Sequence, residues 1–214
     1  MNKKIILIGG GGHCKSVLDS LLKLNEFSVI GIVDKKENVG ETVLGVRIIG
    51  CDQDLPHLFQ DGFKQAFVTV GSVGSPQLRI KIFNLLTKIG FGIPNIVDPS
   101  AVVSNSATMA EGIYVGKNAV INAGAVIHTG VIINTGAIIE HDCSIGDYVH
   151  VSPGSVICGN VEISENTHIG AGCVIKQQLK IGPNSVIGMG SVVLSDIGAN
   201  IIAYGNPCKE GRFL

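Results

Sequence analysis

Two histidines in one short segment are the first candidates for chemistry in this sequence. The stretch IIEHDCSIGDYVHVSPG, residues 138–154, contains His141 and His150. His141 stands between Glu140 and Asp142, and a neighbouring carboxylate can fix the tautomer of an imidazole and raise its basicity, as a general base requires. His141 is therefore the candidate base. The alternative is that both histidines are solvent-facing residues at turns.

A run of four glycines near the start of the chain is the second candidate. Gly9 to Gly12 follow the apolar run IILI and precede an amphipathic segment, and bare backbone amides at a helix N-terminus attract phosphate. His13 comes next, and Asp34 ends the following predicted strand, where an acidic side chain usually meets a ribose hydroxyl. The pattern predicts a nucleotide site. A tight turn without a ligand is the alternative, because Cys14 occupies the last glycine position of G-x-G-x-x-G.

The elements around the glycine run are predicted to be strands that alternate with helices. KKIILIGGGGHCKSVLDSLLKLN predicts a strand, a turn and a helix, FSVIGIVD a second strand, and QAFVTVGSVGSPQLRIKIFNLLTKIG a further strand, turn and helix. This order predicts a small parallel α/β sheet. About ninety residues are only half of a full dinucleotide-binding fold, so a dehydrogenase is a weak alternative.

From about residue 97 the sequence repeats every six residues. An α-helix would spiral the repeated positions around its surface, because six residues turn it through about 600°. A short strand followed by a corner fits the period, and three such hexads form one triangular coil of a parallel β-helix, with coils about 4.8 Å apart. The first position of each hexad is apolar throughout: Val97, Val103, Met109, Val115, Ile121, Ile127, Ile133, Ile139, Ile145, Val151, Ile157, Ile163, Ile169, Ile175, Ile181, Ile187 and Val193.

The hexad register predicts where the two histidines lie. His141 is third in its hexad and His150 is sixth in the next, so both are expected near corners and outside the core. Half a coil separates them, which places the rings on roughly opposite sides of one prism. In a threefold trimer, His141 of one subunit and His150 of its neighbour can meet in the cleft between two prisms.

Composition excludes several classes of function. The chain has 214 residues, a formal net charge of −1 and 15% charged residues, which gives no electrostatic case for nucleic acid. Its apolar runs fall well short of the roughly 20 residues that span a bilayer, and the N-terminal run is too short for a signal peptide. The six cysteines form no C-x-x-C pair, which favours reduced thiols in the cytoplasm. The histidine and cysteine spacings do not predict a metal site.

The combination of GGGGH, uninterrupted hexads, EHD, HVS and a closing GNPCK resembles the bacterial hexapeptide-repeat acyltransferases. The resemblance spans nearly the whole chain and is strongest to the subfamily of sialic acid O-acetyltransferases and nucleotide-4-amino-sugar N-acetyltransferases. It implies an α/β Rossmann-like half domain that binds a nucleotide sugar (residues 1–92), followed by an all-β left-handed parallel β-helix (residues 93–214). It also implies a homotrimer with acetyl-CoA between adjacent prisms.

The resemblance assigns roles to individual residues as well. His141 would be the general base, and Asp142, where the family often has Glu, would raise its basicity. The acetyl-CoA cleft would be lined by His150, Gly159, Ala171 and Met189, with Lys209 near the phosphates of the coenzyme. The nucleotide would be held by Gly11, Gly12, His13, Asp34, Lys35 and Gly71.

These implications predict an acetyl-CoA-dependent N-acetyltransferase that acts on a nucleotide-linked amino sugar, specifically a UDP-4-amino-4,6-dideoxy sugar. Acetyl would pass directly from the thioester to the amine, with no metal and no acyl-enzyme. The alternative with the same fold is an O-acetyltransferase of sialic acid or a related sugar. The alternative from a different class is a non-catalytic trimeric binding scaffold.

Overall fold

The protein was analysed as a computed structural model, which describes residues 3–213. The described residues form two units. The first extends to Ser72 and continues over Gln77–Pro99, and the second comprises Val73–Pro76 and the chain from Ser100 onwards. The domain boundary predicted between residues 92 and 93 stays a prediction.

The N-terminal unit is built on a five-stranded sheet with the strand order β3-β4-β2-β1-β5. Its elements are β1 Lys4–Ile8, α1 Gly12–Leu24, β2 Val29–Val33, β3 Thr42–Val43, β4 Val46–Gly50, α2 Leu55–Gln60, β5 Gln65–Val68, α3 Gln77–Ile89 and β6 Ile96–Val97. All pairs in this sheet are parallel except β3 with β4. The longest helices of residues 3–213 have 13 residues, and none has the length and apolar character to cross a membrane.

The central strand β1 brings three loops to one edge of this sheet. Ile8, at the end of β1, pairs with Val33 of β2 on one side and Val68 of β5 on the other. Backbone bonds extend the pairing past the strand ends, from Gly9 N to Val33 O at 2.8 Å and from Thr69 N to Ile8 O at 2.9 Å. The segments after β1, β2 and β5 therefore start side by side, as expected for the carboxyl edge of a parallel sheet.

The second unit consists mostly of two-residue strands that recur every six residues. These are β7 Val102–Val103, β8 Thr108–Met109, β9 Tyr114–Val115, β10 Val120–Ile121, β11 Val126–Ile127, β12 Ile132–Ile133, β13 Ile138–Ile139, β14 Ser144–Ile145, β15 His150–Val151, β16 Val156–Ile157, β17 Glu162–Ile163, β18 His168–Ile169, β19 Val174–Ile175, β20 Lys180–Ile181, β21 Val186–Ile187, β22 Val192–Val193, β23 Ile201–Gly205 and β24 Cys208–Phe213.

These strands stack into three sheets, one for each side of a prism. The first sheet contains β7, β10, β13, β16, β19 and β22; the second contains β8, β11, β14, β17 and β20; the third contains β9, β12, β15, β18, β21, β23 and β24. Ile139 pairs with Ile121 below and Ile157 above, 18 positions away in each direction, and all three are buried. The sequence-based prediction of a parallel β-helix with three strands per coil is confirmed.

The corners of this β-helix share one backbone conformation. A residue with positive φ recurs every six positions, three residues after the inward aliphatic residue. The set is Gly112, Asn118, Gly124, Gly130, Gly136, Asp142, Tyr148, Gly154, Asn160, Asn166, Gly172, Gln178, Asn184 and Gly190. Glycine, asparagine and aspartate tolerate this left-handed conformation best, which explains their abundance at the corners. Asp142, at φ 60°, is one of these residues, so a corner follows His141 directly.

The cysteines of the chain are all free, and two of them fill the inside of the prism. Cys143 and Cys173 are fully buried, and their thiols donate to the carbonyl oxygens of Cys158 at 3.1 Å and Gly188 at 3.0 Å. Burial raises the pKa of both thiols above the ordinary value, so they stay protonated and unreactive. Both residues therefore serve as small packing side chains inside the prism.

Candidate functional site

The His141 side chain is held by its neighbour at an exposed corner. His141 follows β13, and its Nδ1 lies 2.9 Å from Oδ2 of Asp142. An ionised carboxylate only accepts hydrogen bonds, so the neutral imidazole donates from Nδ1 and keeps the lone pair on Nε2. Nε2 is therefore the atom that can accept a proton from a substrate, which is the arrangement a general base needs.

Gly159, one coil further along, packs against the ring of His141. A Cβ atom placed on Gly159 would lie 2.5 Å from Nε2 and 2.6 Å from Cε1 of His141, so any side chain at this position would displace the imidazole. A backbone hydrogen bond also joins these two segments, because Asn160 N donates to the carbonyl oxygen of His141 at 2.8 Å. The sequence predicted Gly159 for the coenzyme cleft. The structure places it beside the candidate base, and its contact with coenzyme stays a prediction.

His150 lies in a strand and not near a corner, so this part of the sequence-based expectation was wrong, and the alternative of a solvent-facing residue is excluded as well. It is the first residue of β15 and is only 8% exposed. Its ring packs edge-to-face on His168, with ring centroids 4.9 Å apart, because β15 and β18 pair at these two residues. The physical reason is that each strand begins one residue before the inward aliphatic, so the sixth hexad position lies within the strand. The role of His150 in the coenzyme cleft stays a prediction.

Asn134 contacts His150 and was not predicted from the sequence. Its Nδ2 lies 3.3 Å from Nε2 of His150, and its Oδ1 accepts from Thr135 N at 3.0 Å. The only signal in the sequence is its spacing of 16 residues from His150, close to one coil. Asparagine is common in this half of the chain, so that spacing does not distinguish Asn134 from Asn122 or Asn160.

The other predicted coenzyme residues lie on a different edge of the prism from His141 and Gly159. Ala171 and Met189 follow β18 and β21 of the third sheet at equivalent positions of successive coils, and Gly190 N donates to Ala171 O at 2.8 Å. Both side chains are exposed, Met189 at 82%. Lys209 is exposed on β24 of the same sheet. The predicted coenzyme residues therefore divide between two edges, with Gly159 on one and these three on the other.

The N-terminal unit contains a cavity of about 940 Å³ at the carboxyl ends of β1, β2 and β5. The residues that the sequence predicted for nucleotide binding all line it: Gly11, Gly12, His13, Asp34, Lys35 and Gly71. The floor of the cavity is the N-terminus of α1, where Gly11 is the N-cap and the first turn carries no acidic side chain. Backbone amides and the helix dipole at this end attract phosphate.

Asp34 fixes the shape of the glycine loop. Its Oδ2 accepts from Gly10 N at 2.9 Å and from Nδ2 of Asn38 at 3.3 Å, and its Oδ1 accepts from Lys35 N at 2.7 Å. A Cβ on Gly10 would lie 2.7 Å from Oδ2, so only glycine fits there. A carboxylate has about four lone-pair sites, which leaves capacity for a ribose hydroxyl.

His13 is held neutral at the edge of this cavity. Burial disfavours the imidazolium, and the nearby positive charge of Arg79 adds to the effect, which together lower the pKa of His13 to about 4. His13 is therefore a neutral imidazole near neutral pH and brings no positive charge to the cavity. Across residues 3–213, no group of three or more His, Cys, Asp and Glu side chains is arranged to hold a metal ion.

Both halves of the chain match known families. The PglD N-terminal domain matches residues 4–86, and the bacterial transferase hexapeptide (six repeats) matches residues 124–159 and 160–195. The H141N mutant of perosamine N-acetyltransferase from Caulobacter crescentus, solved with CoA and GDP-perosamine, is 36% identical over 98% of this chain and 97% of that one, with a TM-score of 0.91.

Two further solved structures match the whole chain. The acetyltransferase domain of PglB from Neisseria gonorrhoeae, in complex with acetyl coenzyme A, is 35% identical over 98% of this chain and 100% of that one, with a TM-score of 0.91. WeeI from Acinetobacter baumannii, at 24% identity and a TM-score of 0.78, supports the fold alone. The predicted Rossmann-like unit and left-handed β-helix are thereby confirmed. The chain belongs to the hexapeptide-repeat acyltransferases, within the group of nucleotide-amino-sugar N-acetyltransferases.

Proposed function

We propose that this protein transfers the acetyl group of acetyl-CoA to the amino group of a nucleotide-linked amino sugar. The observation that carries the proposal is the pair of His141 and Asp142, packed against the backbone of Gly159 at an exposed corner. The similarity to the Caulobacter enzyme, which was solved with CoA and GDP-perosamine, supports the substrate class. The similarity to the PglB domain, solved with acetyl coenzyme A, supports the acetyl donor.

The reaction is a direct transfer in which His141 moves the proton. The sugar amine attacks the thioester carbonyl carbon while Nε2 of His141 takes a proton from the amine, and Asp142 stabilises the resulting imidazolium. The carbon–sulfur bond then breaks, and the coenzyme thiolate leaves and recovers that proton. A backbone amide near Gly159 stabilises the oxyanion of the intermediate, and losing such a donor typically costs about 100-fold in rate.

The cavity of the N-terminal unit holds the nucleotide. The amides of Gly11 and Gly12 bind the diphosphate at the N-terminus of α1, and Asp34 accepts from a ribose hydroxyl. Lys35, His13 and Gly71 complete the wall around it. The first substrate to test is a UDP-4-amino-4,6-dideoxy sugar, and the second is GDP-perosamine, because the similar Caulobacter enzyme was solved with it.

The working form is a homotrimer, and an aliphatic ladder on the first sheet supports this assembly. In each strand of that sheet the second residue points into the prism, so the first residue faces outward. These outward residues stack in register and form the ladder: Val102, Val120, Ile138, Val156, Val174 and Val192. The corresponding face of the second sheet is mixed, with Ser144, Glu162 and Lys180 among its residues. The ladder is therefore the apolar face that another copy of the chain covers.

A trimer would also bring together the predicted coenzyme residues that lie on two different edges of one prism. In the cleft between two prisms, His141 and Gly159 of one subunit face His150, Ala171, Met189 and Lys209 of its neighbour, and acetyl-CoA lies between them. The reaction takes place in the cytoplasm, which agrees with the six free cysteines.

The function is tested with a coenzyme-A-release assay on the purified protein. Acetyl-CoA is supplied with UDP- and GDP-linked 4-amino sugars, and sialic acid is the competing acceptor. Release that depends on an amino sugar nucleotide, with a product heavier by one acetyl group, is the expected result. Release with sialic acid and not with the sugar nucleotides indicates the O-acetyltransferase. Calorimetry that detects no acetyl-CoA binding indicates a non-catalytic scaffold.

A further inference from the structure

One part of the nucleotide cavity, at the carboxyl end of β4, has no role in the proposed function. In the sheet order, β4 lies next to β2, on the side away from β1. Asp34 N donates to the carbonyl oxygen of Gly50 at 3.1 Å, so the segments after β2 and β4 begin side by side. Cys51, Asp52 and Gln53 follow β4 and line the cavity.

This arrangement places the base of a bound nucleotide over the end of β4. In the proposed function, the diphosphate lies at the glycine loop after β1, and the ribose meets Asp34 after β2. A nucleotide extends in the order phosphate, ribose and base, so its base continues in the same direction along the sheet edge. The residues that meet the base are therefore those that follow β4.

The backbone after β4 is held by the carboxylate of Asp54. Cys51 N donates to Oδ2 of Asp54 at 2.8 Å, and Asp54 N donates to the carbonyl oxygen of Cys51 at 2.9 Å. The hydrogen bond from Cys51 N lowers the pKa of Asp54 below its ordinary value, so this side chain stays an acceptor for the turn. Asp54 is thus used within the short helical turn Asp52–Asp54, which fixes the backbone at Asp52.

Asp52 differs from Asp54, because its carboxylate is not used inside the protein. The side chain is exposed and makes no hydrogen bond or ion pair with any of residues 3–213. An ionised carboxylate has two oxygens that only accept, and it binds most strongly to a pair of neighbouring N–H groups. The base that suits this position therefore carries two adjacent donors.

Guanine is the base that meets this requirement. Its pairing edge carries N1–H and the N2 amino group side by side, followed by the acceptor O6. Both donors can bond to the oxygens of Asp52, and the amide of Gln53 can donate to O6. Uracil and thymine carry a single N3–H between two carbonyl oxygens, so a carboxylate there is repelled by a lone pair. Adenine and cytosine present one amino group beside a ring acceptor, which gives the same mismatch.

We propose that Asp52 selects guanine, so that the substrate is an amino sugar linked to guanosine diphosphate. Asp52 accepts from N1–H and from the N2 amino group of the base and takes no part in the proton transfer at His141. This inference rests on the proposed function, because the cavity must receive a nucleotide sugar. Within that function it favours the guanosine-linked sugar over the uridine-linked one.

The test measures, by calorimetry on the full-length protein, the dissociation constants of GDP, UDP, inosine diphosphate and xanthosine diphosphate. Inosine lacks the N2 amino group, and xanthosine has a carbonyl oxygen in its place. We expect the parent to bind GDP at least about tenfold more tightly than each of the others, since one bidentate pair discriminates by roughly tenfold to 100-fold. Asp52→Asn should bind xanthosine diphosphate more tightly than GDP, because an amide accepts from N1–H and donates to a carbonyl. A purely structural role of Asp52 would not reverse this order.

Turnover provides a second measurement. In Asp52→Asn, KM for the guanosine-linked amino sugar should rise roughly tenfold while kcat stays within about twofold, because the contact is the same in the ground state and the transition state. Glu26→Gln is the matched control. It removes an exposed carboxylate before β2, at the opposite edge of the sheet, and should change neither the affinities nor KM.

Three results overturn the inference. The first is a parent protein that binds UDP as tightly as GDP, and the second is a folded Asp52→Asn protein that keeps the parent's preference for GDP over xanthosine diphosphate. The third is release of coenzyme A with a uridine-linked amino sugar alone, which leaves the proposed function standing. If no diphosphate binds and no sugar nucleotide gives release, the proposed function itself fails, which is a separate result.

Discussion

At the scale of single residues, the candidate base is fixed on two sides. Asp142 is in the left-handed conformation that ends the corner, and its carboxylate bonds to Nδ1 of His141. Gly159 leaves room for the ring one coil away. The same corner therefore sets both the tautomer and the position of the imidazole.

Replacing His141 with Ala is expected to lower kcat by roughly 10² to 10⁴, the usual contribution of a general base. The measurement is steady-state turnover with acetyl-CoA and the best sugar nucleotide. The control is His128→Ala, another exposed histidine of the β-helix. Wild-type turnover in the His141 variant contradicts the assignment of the base.

Replacing Gly159 with Ala is expected to lower kcat by roughly tenfold to 100-fold, because the added methyl group displaces the imidazole and a misplacement of about 1 Å can cost that much. Ala123→Ser, at the equivalent corner two coils before Gly159, serves as the control. Both variants should keep the melting temperature within a few degrees. Unchanged kcat in folded Gly159→Ala would show that the ring position does not limit the reaction.

The lowered pKa of His13 has a consequence for stability. Between pH 6.5 and pH 4 the unfolded chain binds a proton at His13 that the folded chain excludes, so the folded state loses stability as pH falls through this window. The full loss is at most about 3 kcal/mol for a pKa shift from 6.5 to about 4. His13→Asn should therefore flatten the decline of the melting temperature between pH 7 and pH 4.5. A decline as steep as that of the parent contradicts the assigned shift.

At the scale of elements, the regular parts of the fold could be predicted from the sequence. The hexad period gave the β-helix, because each coil repeats one local pattern of inward aliphatic residue and corner. The glycine loop and Asp34 could be placed at one sheet edge for a similar reason, since each ends a recognisable strand. The error over His150 came from its exact position within the hexad, because a shift of one residue moves a side chain from a corner into a strand.

The contacts that could not be predicted join distant parts of the chain. Arg79 acts on His13 because β5 pairs with β1, which brings the loops after these strands together. No short stretch of the sequence indicates that β5 pairs with β1. Asn134 and His150 meet between adjacent coils, and only side-chain geometry distinguishes Asn134 from other corner asparagines.

The loop between β1 and α1 depends on the absence of a side chain at Gly10. Gly10→Ala should collide with Oδ2 of Asp34 and distort the loop, so UDP or GDP should no longer raise the melting temperature. Acetyl-CoA binding, measured by calorimetry, should persist, because the residues proposed for it belong to the β-helix. A variant that still responds to the nucleotide like the parent would show that this loop does not bind it.

At the scale of the whole molecule, the proposed active site requires more than one copy of the chain. His141 and Gly159 lie at the end of the first sheet, whereas Ala171 and Met189 follow strands of the third. The aliphatic ladder lies on the sheet that ends at His141. The surface proposed for the subunit contact and the candidate catalytic corner are thus parts of the same face.

Two valines of equal exposure test which face is covered. Val174 belongs to the ladder and is 40% exposed, and Val126 is on the second sheet and is 39% exposed. Val174→Lys should dissociate the trimer and reduce activity at least about tenfold, because it buries a charge in an apolar contact. Val126→Lys should leave both unchanged. Molar mass from light scattering decides the outcome, and a trimeric, active Val174→Lys protein contradicts the proposed interface.

The eighteen-residue coil has a consequence for how proteins of this architecture can change in length. Deleting one complete coil would shift every later side chain by one coil along the axis of the prism and leave it on the same edge. Deleting a single hexad would instead rotate the remainder of the prism by a third of a turn and carry His150 or Met189 to the wrong side. Such a protein can therefore gain or lose length only in steps of whole coils if its active-site residues are to stay on the same edges.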